Sequence, residues 1–342
     1  MKAARTNRVN LLNSSVVAVV VAVGVAVAVG VLCQQPGAQA QDATVGPTYT
    51  VKDLGTLGGN YSSALGINDA GQVVGFASTS EGVAHAFLYD RSATPKMQDL
   101  GTLGGNCSYP RSCIESSAWG INDAGQVVGV AFTSSDSFHA FLYERSATPE
   151  MQDLGTLGGN FSFASDINDA GQVVGGASTS SDPDYHAFLY ERSATPQMQD
   201  LGTLGDDDYS EARGINDAGQ VVGVSAPASS SNFYHAFLYE RSATPEMQDL
   251  GTLGGNYSSA WDINDAGQVV GVSTTSSDSF HAFLYERSAT PKMRDLNSLI
   301  PPHSGWSLEE ARAINQRGQI VGVGERNGHT RAILLTPRKK TL

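Results

Sequence analysis

His281-Ala-Phe-Leu-Tyr285 is the fifth appearance of one pentapeptide in this chain; the other copies begin at His85, His139, His186 and His235. Two further signals recur around it. Asp-Leu stands at Asp53, Asp99, Asp153, Asp200, Asp249 and Asp295, and Ile-Asn at Ile67, Ile121, Ile167, Ile215, Ile263 and Ile314. The chain is six copies of one unit, spaced 46 to 54 residues apart. That period, with short strands and glycine-rich turns inside it, marks a β-propeller blade or a solenoid turn.

The fifth unit shows how one copy folds. Ala260-Trp-Asp-Ile-Asn264 reads as a short strand, and Asp265-Ala-Gly267 as a hairpin turn with Gly267 free to take a positive φ. Gln268-Val-Val-Gly-Val272 is the next strand; its Val-Val pair suits a sheet buried on both faces. Thr274 to Ser279 is a polar loop, and His281–Tyr285 a third strand. Arg287-Ser-Ala-Thr-Pro291 turns the chain, and Met293-Arg-Asp-Leu296 is the fourth strand. Even Leu308–Arg312, the one helix-like stretch, aligns with strands in the other units. The expected fold is all-β: a six-bladed β-propeller of six four-stranded repeats of about 48 residues.

Strand order follows from linker length. The short Arg-Ser-Ala-Thr-Pro link makes the third and fourth strands hairpin neighbours, whereas Gly251 to Ser259 is long enough to cross between blades. Ala-x-x-Ile-Asn is therefore innermost, where small residues such as Ala212 and Gly214 suit a crowded axis, and Met-x-Asp-Leu is outermost. The array begins on an outer-type strand, Tyr49–Leu54, and ends on a third-type strand, Arg331–Leu335. These two are expected to pair and close the ring.

The motifs resemble the bacterial HAF-repeat family of probable extracellular repeats over about residues 49 to 336. They are His-Ala-Phe-Leu-Tyr, Asp53-Leu-Gly-Thr-Leu-Gly-Gly59 and Gly66-Ile-Asn-Asp-Ala-Gly-Gln-Val-Val-Gly75. The last unit looks like the family's terminal repeat, with Asp295-Leu-Asn-Ser-Leu-Ile-Pro-Pro302 and Leu334-Leu-Thr-Pro337. The resemblance implies export and a repeat scaffold, and no reaction. Arg331 replaces the repeated His and Gln316-Arg317 replace Asp-Ala, so the sixth unit departs from the pattern. The Gly-Gly doublet is also similar to kelch repeats, whose aromatic spacing is absent here.

The first 40 residues stand apart. Lys2, Arg5 and Arg8 precede a Val/Ala-rich stretch, and Ala38-Gln-Ala40 supplies a cleavage site before Gln41. An uncleaved anchor is the alternative. Leu32 before Cys33 argues against lipidation. The expected organisation is a signal peptide over 1–40, a linker over 41–48, the propeller over 49–337 and a basic tail over 338–342. The leader carries three of the 21 basic residues and none of the 34 acidic ones, leaving 18 against 34, a formal charge of −16. Nucleic acid and anionic membrane surfaces are poor partners for such a chain. The expected location is secreted, periplasmic or at the cell surface, as a monomer.

Cys107 and Cys113 flank an insertion found only in the second unit and read as a loop disulfide; a metal site would need two more ligands. The repeated His residues come from separate blades and read as structural hydrogen-bonders. Asp166–Gly171 and Asp262–Gly267 imitate Ca²⁺ loops but carry Ala at the fifth ligand position, so a turn is the better account. Asp206-Asp-Asp208 reads as a solvated acidic loop. Asn60, Asn106, Asn160 and Asn256 open Asn-x-Ser sequons, which a bacterial protein would leave unmodified. No metal or cofactor is expected.

Up-and-down order puts Asn-Asp-Ala-Gly and Arg-Ser-Ala-Thr-Pro on one rim, nearly unchanged between units. The other rim carries the variable loops, the cysteine insertion and aromatics: Tyr61, Phe161 and Tyr257 after Gly-Gly-Asn, with Tyr209 and Trp306 in shifted form. These five are the candidate ligand-binding residues. Two readings stand: stacking on sugar rings, or packing beneath the next blade. The expected function is an exported, non-enzymatic binding or surface-presentation scaffold. The alternative is a multivalent glycan-binding, lectin-like propeller. An enzyme with an axial site has least behind it, because no unique catalytic set appears.

Overall fold

The computed structural model describes residues 52–106, 113–145, 150–180, 185–192, 197–205, 209–226, 233–241, 246–287 and 292–337. These form an all-β, propeller-like array of antiparallel meanders. The first sheet runs Gly58–Ile67, Val73–Thr79, Ala84–Tyr89, Met97–Gly101. The second runs Ser116–Ile121, Val127–Phe132, Phe138–Tyr143, Met151–Asp153. The third runs Gly158–Ile167, Val173–Thr179, Tyr185–Glu191, Gln197–Asp200. The fourth runs Ser210–Ile215, Val221–Ser225, His235–Tyr239, Met247–Asp249, and the fifth Gly254–Ile263, Val269–Thr275, Phe280–Glu286, Lys292–Asp295. The sixth has three strands, Trp306–Ile314, Ile320–Arg326 and His329–Leu335. One short 3-10 turn, Leu296–Ser298, is the sole helical element among the described residues.

The recurrent motifs are explained by burial on both sheet faces. In the fourth sheet Val221, Phe237 and Tyr239 pack back on Val174 and Leu189 of the third. Their alternate neighbours Val222, Ala236 and Leu238 pack forward on Phe283 and Tyr285 of the fifth. The period of two along each strand therefore fills two interfaces at once. Fully burying one Phe or Leu is worth roughly 1.5–3 kcal/mol, and every junction repeats the set.

The glycine after Val-Val is required by close approach. A Cβ on Gly223 would lie 1.9 Å from the Glu211 carbonyl oxygen, and one on Gly271 2.0 Å from that of Ser259. The first strand is bulged here, between Ala212 and Gly214 in the fourth sheet and between Ala260 and Asp262 in the fifth. Only a residue without a side chain admits that bulge.

First strands of successive sheets pack on one another, so Ala-x-x-Ile-Asn is innermost as expected. Two expectations change. The first strand is longer than anticipated in the first, third and fifth sheets, because Gly-Gly-Asn, taken as crossover, already pairs with the second strand: Gly254 lies opposite Thr275. The expected closing strand is not formed within the described residues. Tyr49–Val51 lie outside them, and Lys52–Leu54 are not in a strand. Leu54 instead packs with Leu57, Phe87 and Tyr89 of the first sheet, the place Leu100 takes on the second. Extensive packing joins consecutive sheets; among the described residues none joins the sixth to the first.

Candidate functional site

The Asn-Asp-Ala-Gly rim is committed to structure. Each turn is closed by its own Asn: Asn216 Oδ1 accepts from Gln220 N at 2.9 Å and Gly219 N donates to Asn216 O at 2.9 Å. The Asn Nδ2 then reaches the next sheet. Asn68 donates to Asn122 O, Asn122 to Asn168 O, Asn168 to Asn216 O, Asn216 to Asn264 O and Asn264 to Asn315 O, at 2.9 to 3.1 Å. The neighbouring Asp backbone N–H donates in parallel, from Asp69 to the Asp123 carboxylate and finally from Asp265 to Gln316 Oε1, both at 2.9 Å.

On the same rim, Arg192 pairs with Glu144, Arg241 with Glu191 and Arg287 with Glu240, each at 2.5 Å and each reaching the preceding sheet. Gln126, Gln172 and Gln220 donate to those same carboxylates. The near-identity of this rim is thus a requirement of stitching.

The repeated histidines are structural too. Nδ1 of His139, His186, His235 and His281 meets Asp153, Asp200, Asp249 and Asp295 of the adjoining outer strand at 2.7 to 2.8 Å. For Asp153, Asp200 and Asp249, burial pushes the carboxyl upward, but hydrogen bonds from the His and from a glycine N–H carry it below the usual range. His85 engages two acids, Asp99 and Glu115, each at 3.0 Å. Its pKa is raised: the Asp99 bond raises it, burial opposes, and Glu115 adds to the rise. Cys113, two residues before Glu115, is disulfide-bonded; Cys107 lies outside the described residues, as do Asp206–Asp208. Among the described residues no group of three potential metal ligands forms.

The candidate aromatics are spread over separate sheets; Tyr61, Tyr209, Tyr257 and Trp306 each meet a side chain of their own unit. Tyr61 and Phe161 are exposed, and Tyr61 packs tilted on Phe76. Tyr209, Tyr257 and Trp306 are half-buried. Tyr209 meets Tyr234 edge-on at 5.3 Å and donates its hydroxyl to Glu211 at 2.8 Å. Tyr257 meets Phe280 edge-on at 5.9 Å, and Arg326 lies 5.5 Å over Trp306. Burial, and then the Glu211 charge, pushes the Tyr209 hydroxyl far up, so it stays protonated. Two of the five are open to solvent, Tyr209 and Tyr257 each meet an aromatic ring of their own unit, and Trp306 meets an arginine.

Sequence reasoning missed the residues that continue these faces along the innermost strands. Alternate residues share a face, so Tyr209 is followed by Glu211 and Arg213, and Tyr257 by Ser259 and Trp261. Arg213 donates to Glu211 at 3.1 Å and to Ser259 of the next sheet at 2.8 Å. Its guanidinium lies 4.7 Å from the Trp261 ring centroid, and Arg312 of the sixth sheet lies 5.4 Å from it. Arg312 is paired with Glu310 at 2.7 Å. Trp119 uses Ser117 as acceptor for its Nε1 at 2.8 Å. Ser259, the equivalent acceptor for Trp261, is taken by Arg213, and Trp261 Nε1 is buried without a partner. Trp119 also packs on Phe163, which packs on Tyr185. The available signal was substitution inside Ser-Ser-Ala-x-Gly-Ile, a strand motif that differs between units.

Two buried acids lie beside this face. Asp166 and Asp262 are half-buried as whole residues, but their carboxylates are enclosed: Asp166 accepts from Ile167 N and Ile215 N, Asp262 from Ile263 N and Ile314 N. Burial, with the Asp262 charge adding to it, pushes Asp166 up to about 7. Burial likewise raises Asp262 to about 6, against its hydrogen bonds.

A family model described as "Protein of unknown function (DUF3466)" matches the sequence twice, over residues 61–204 and 197–330. The chain belongs to this family. No curated protein matches it in sequence. Among solved structures, it is similar to TolB from Acinetobacter baumannii, at 15% identity and a TM-score of 0.47 over 78% of this chain and 61% of that one. It is also similar to a gluconolactonase from Xanthomonas campestris, at 10% identity and 0.38 over 82% and 89%. A third likeness is to a puromycin hydrolase variant, at 13% identity and 0.40 over 82% and 52%.

Proposed function

We propose that this DUF3466 chain is an exported, non-enzymatic scaffold of six propeller blades, akin to HAF-repeat proteins, that binds an extracellular partner or presents a surface through its crossover side. The observation that carries this reading is the division of labour between the rims. One rim spends its Asn, Asp, Arg, Glu and Gln side chains on inter-sheet bonds. The other leaves Tyr61, Phe161, Phe233 and Phe280 exposed, above inner strands whose side chains differ from sheet to sheet. Variation on a fixed frame is how binding surfaces are made.

A glycan is the second reading. Aromatic rings interleaved with Glu-paired arginines combine flat apolar faces with directional donors and acceptors, which suits a polyhydroxylated ligand. Export rests on the leader over 1–40, and N-terminal sequencing of protein from the culture medium tests it: a start at Gln41 supports cleavage. Screening the exported chain against cell-wall and exopolysaccharide glycans tests binding. Retained screening hits that are lost on Tyr257→Ala support the glycan reading, and hits confined to proteins leave the scaffold reading alone.

A further inference from the structure

We propose that the two end sheets are the two halves of a self-association interface, through which the sixth sheet of one copy docks on the first sheet of another.

A repeated interface has one half left over at each end. At each internal junction a forward-facing Val and Leu meet a backward-facing Ile of the next sheet. The forward valines of the first five sheets, Val222 among them, are 0% exposed where the interface is filled. Val321, their counterpart in the sixth sheet, is 45% exposed, and Leu334 is 62% exposed. On the backward side Ile215 and Ile263 are buried, whereas Ile67 of the first sheet is 69% exposed. The residue types at both ends are those of the filled junctions, so each end lacks only its partner.

The hydrogen-bond ladder is open in the matching sense. Among the described residues Asn315 Nδ2 donates to its own Gln319, at 3.0 Å, and to no carbonyl beyond, where each earlier Asn also reaches a following carbonyl. At the other end the Asn68 carbonyl accepts from Gly71 but, among the described residues, from no preceding Asn. The last sheet offers donors and the first offers acceptors. Charge agrees: residues 306–337 hold four Arg against three Glu and form the one unit of net positive charge, while residues 58–101 hold four acids against two bases. One rung would be missing, since Thr336 stands where Glu receives the Arg of the next sheet; such an exposed pair is of small worth.

A second copy is the occupant because, among the described residues, no extensive packing joins the sixth sheet to the first. The contact is heterologous, so successive copies add head to tail until a ring closes or a filament grows. The monomer expected from sequence is the competing outcome.

Sedimentation velocity of the full chain over a hundredfold concentration range tests it, with Ile67→Asp and Leu334→Asp variants and Val321→Asp as a second sixth-sheet variant. All three positions are exposed, and circular dichroism checks that each variant folds. The expected result is concentration-dependent association of the wild type, a single monomeric species for each variant alone, and a dimer when Ile67→Asp is mixed with Leu334→Asp, because each retains the half the other lacks. A wild type that stays monomeric overturns the proposal. An intrachain disulfide in an Ile67→Cys/Leu334→Cys double variant would mean the ring closes on itself and overturns it equally. Association that survives the substitutions, or variants that fail to pair when mixed, places the contact elsewhere and also overturns it.

Discussion

The side-chain amide of Asn216 donates to the backbone carbonyl of Asn264 at 3.0 Å, joining the innermost turn of one sheet to that of the next. The same amide holds Gln220 Oε1 at 2.7 Å, while Asn216 Oδ1 takes the Gln220 N–H. One residue thus closes its own turn and fixes the neighbouring one. Asn216→Ala is expected to cost about 1–3 kcal/mol, since it strands buried groups on both sides. Asn315→Ala, which has no following carbonyl to lose, is expected to cost less. Urea unfolding midpoints of the two variants measure the difference.

Gly223→Ala brings a Cβ to 1.9 Å from the Glu211 carbonyl oxygen, which is backbone and cannot turn aside. The bulge must open, at about 1–3 kcal/mol. Thermal unfolding should show it, while Gly251→Ala, which meets nothing within 4 Å, should show only the strain of a positive φ, about 1 kcal/mol.

Leu189 is fully buried between the third and fourth sheets and Leu334 is its exposed counterpart in the sixth. Leu189→Ala is expected to lower stability by about 2–5 kcal/mol. Leu334→Ala, in dilute protein, should stay within about 0.5 kcal/mol. Equal effects would mean the sixth sheet is covered.

The pH dependence has a definite sign. Asp166 and Asp262 have folded pKa values raised to about 7 and about 6 from 3.8. Their protonated forms favour the fold, so this contribution is complete below about 4 and is lost as pH rises through 6 and 7. His85 is raised above 6.5, so its contribution is present below that value and lost on further rise. Asp99, Asp153, Asp200 and Asp249 are lowered, and theirs is lost only on acidification below 3.8. The melting temperature should therefore be higher at pH 5 than at pH 8. Asp166→Asn and Asp262→Asn together should flatten that slope; an unchanged slope would mean the two carboxylates are solvated.

Much of this fold was legible because the repeat writes each strand five or six times. The strand order, the inner position of Ala-x-x-Ile-Asn and the structural role of the histidines follow from period-two patterning and linker length. The extension of the first strand through Gly254 was hidden, since Gly-Gly-Asn is turn-like chemistry and pairs only because Thr274 Oγ1 accepts the N–H groups of Asn256 and Tyr257. The fate of Leu54 was hidden too: the sequence shows an outer-strand motif but not that its leucine covers Phe87. The Arg213–Trp261–Arg312 cluster was overlooked because it joins three units, and no single unit displays it.

The central claim is that the stitched rim is structural and the crossover side binds. Affinity of the exported chain for its strongest hit on a cell-wall and exopolysaccharide glycan array tests it most directly, compared among wild type, Tyr257→Ala, Phe280→Ala and Ala266→Ser. The account predicts at least a tenfold loss, about 1.4 kcal/mol, for the two aromatic variants with the fold retained by circular dichroism, and wild-type affinity for Ala266→Ser on the Asn-Asp-Ala-Gly turn. Equal losses from both sides, or loss from Ala266→Ser alone, would contradict it.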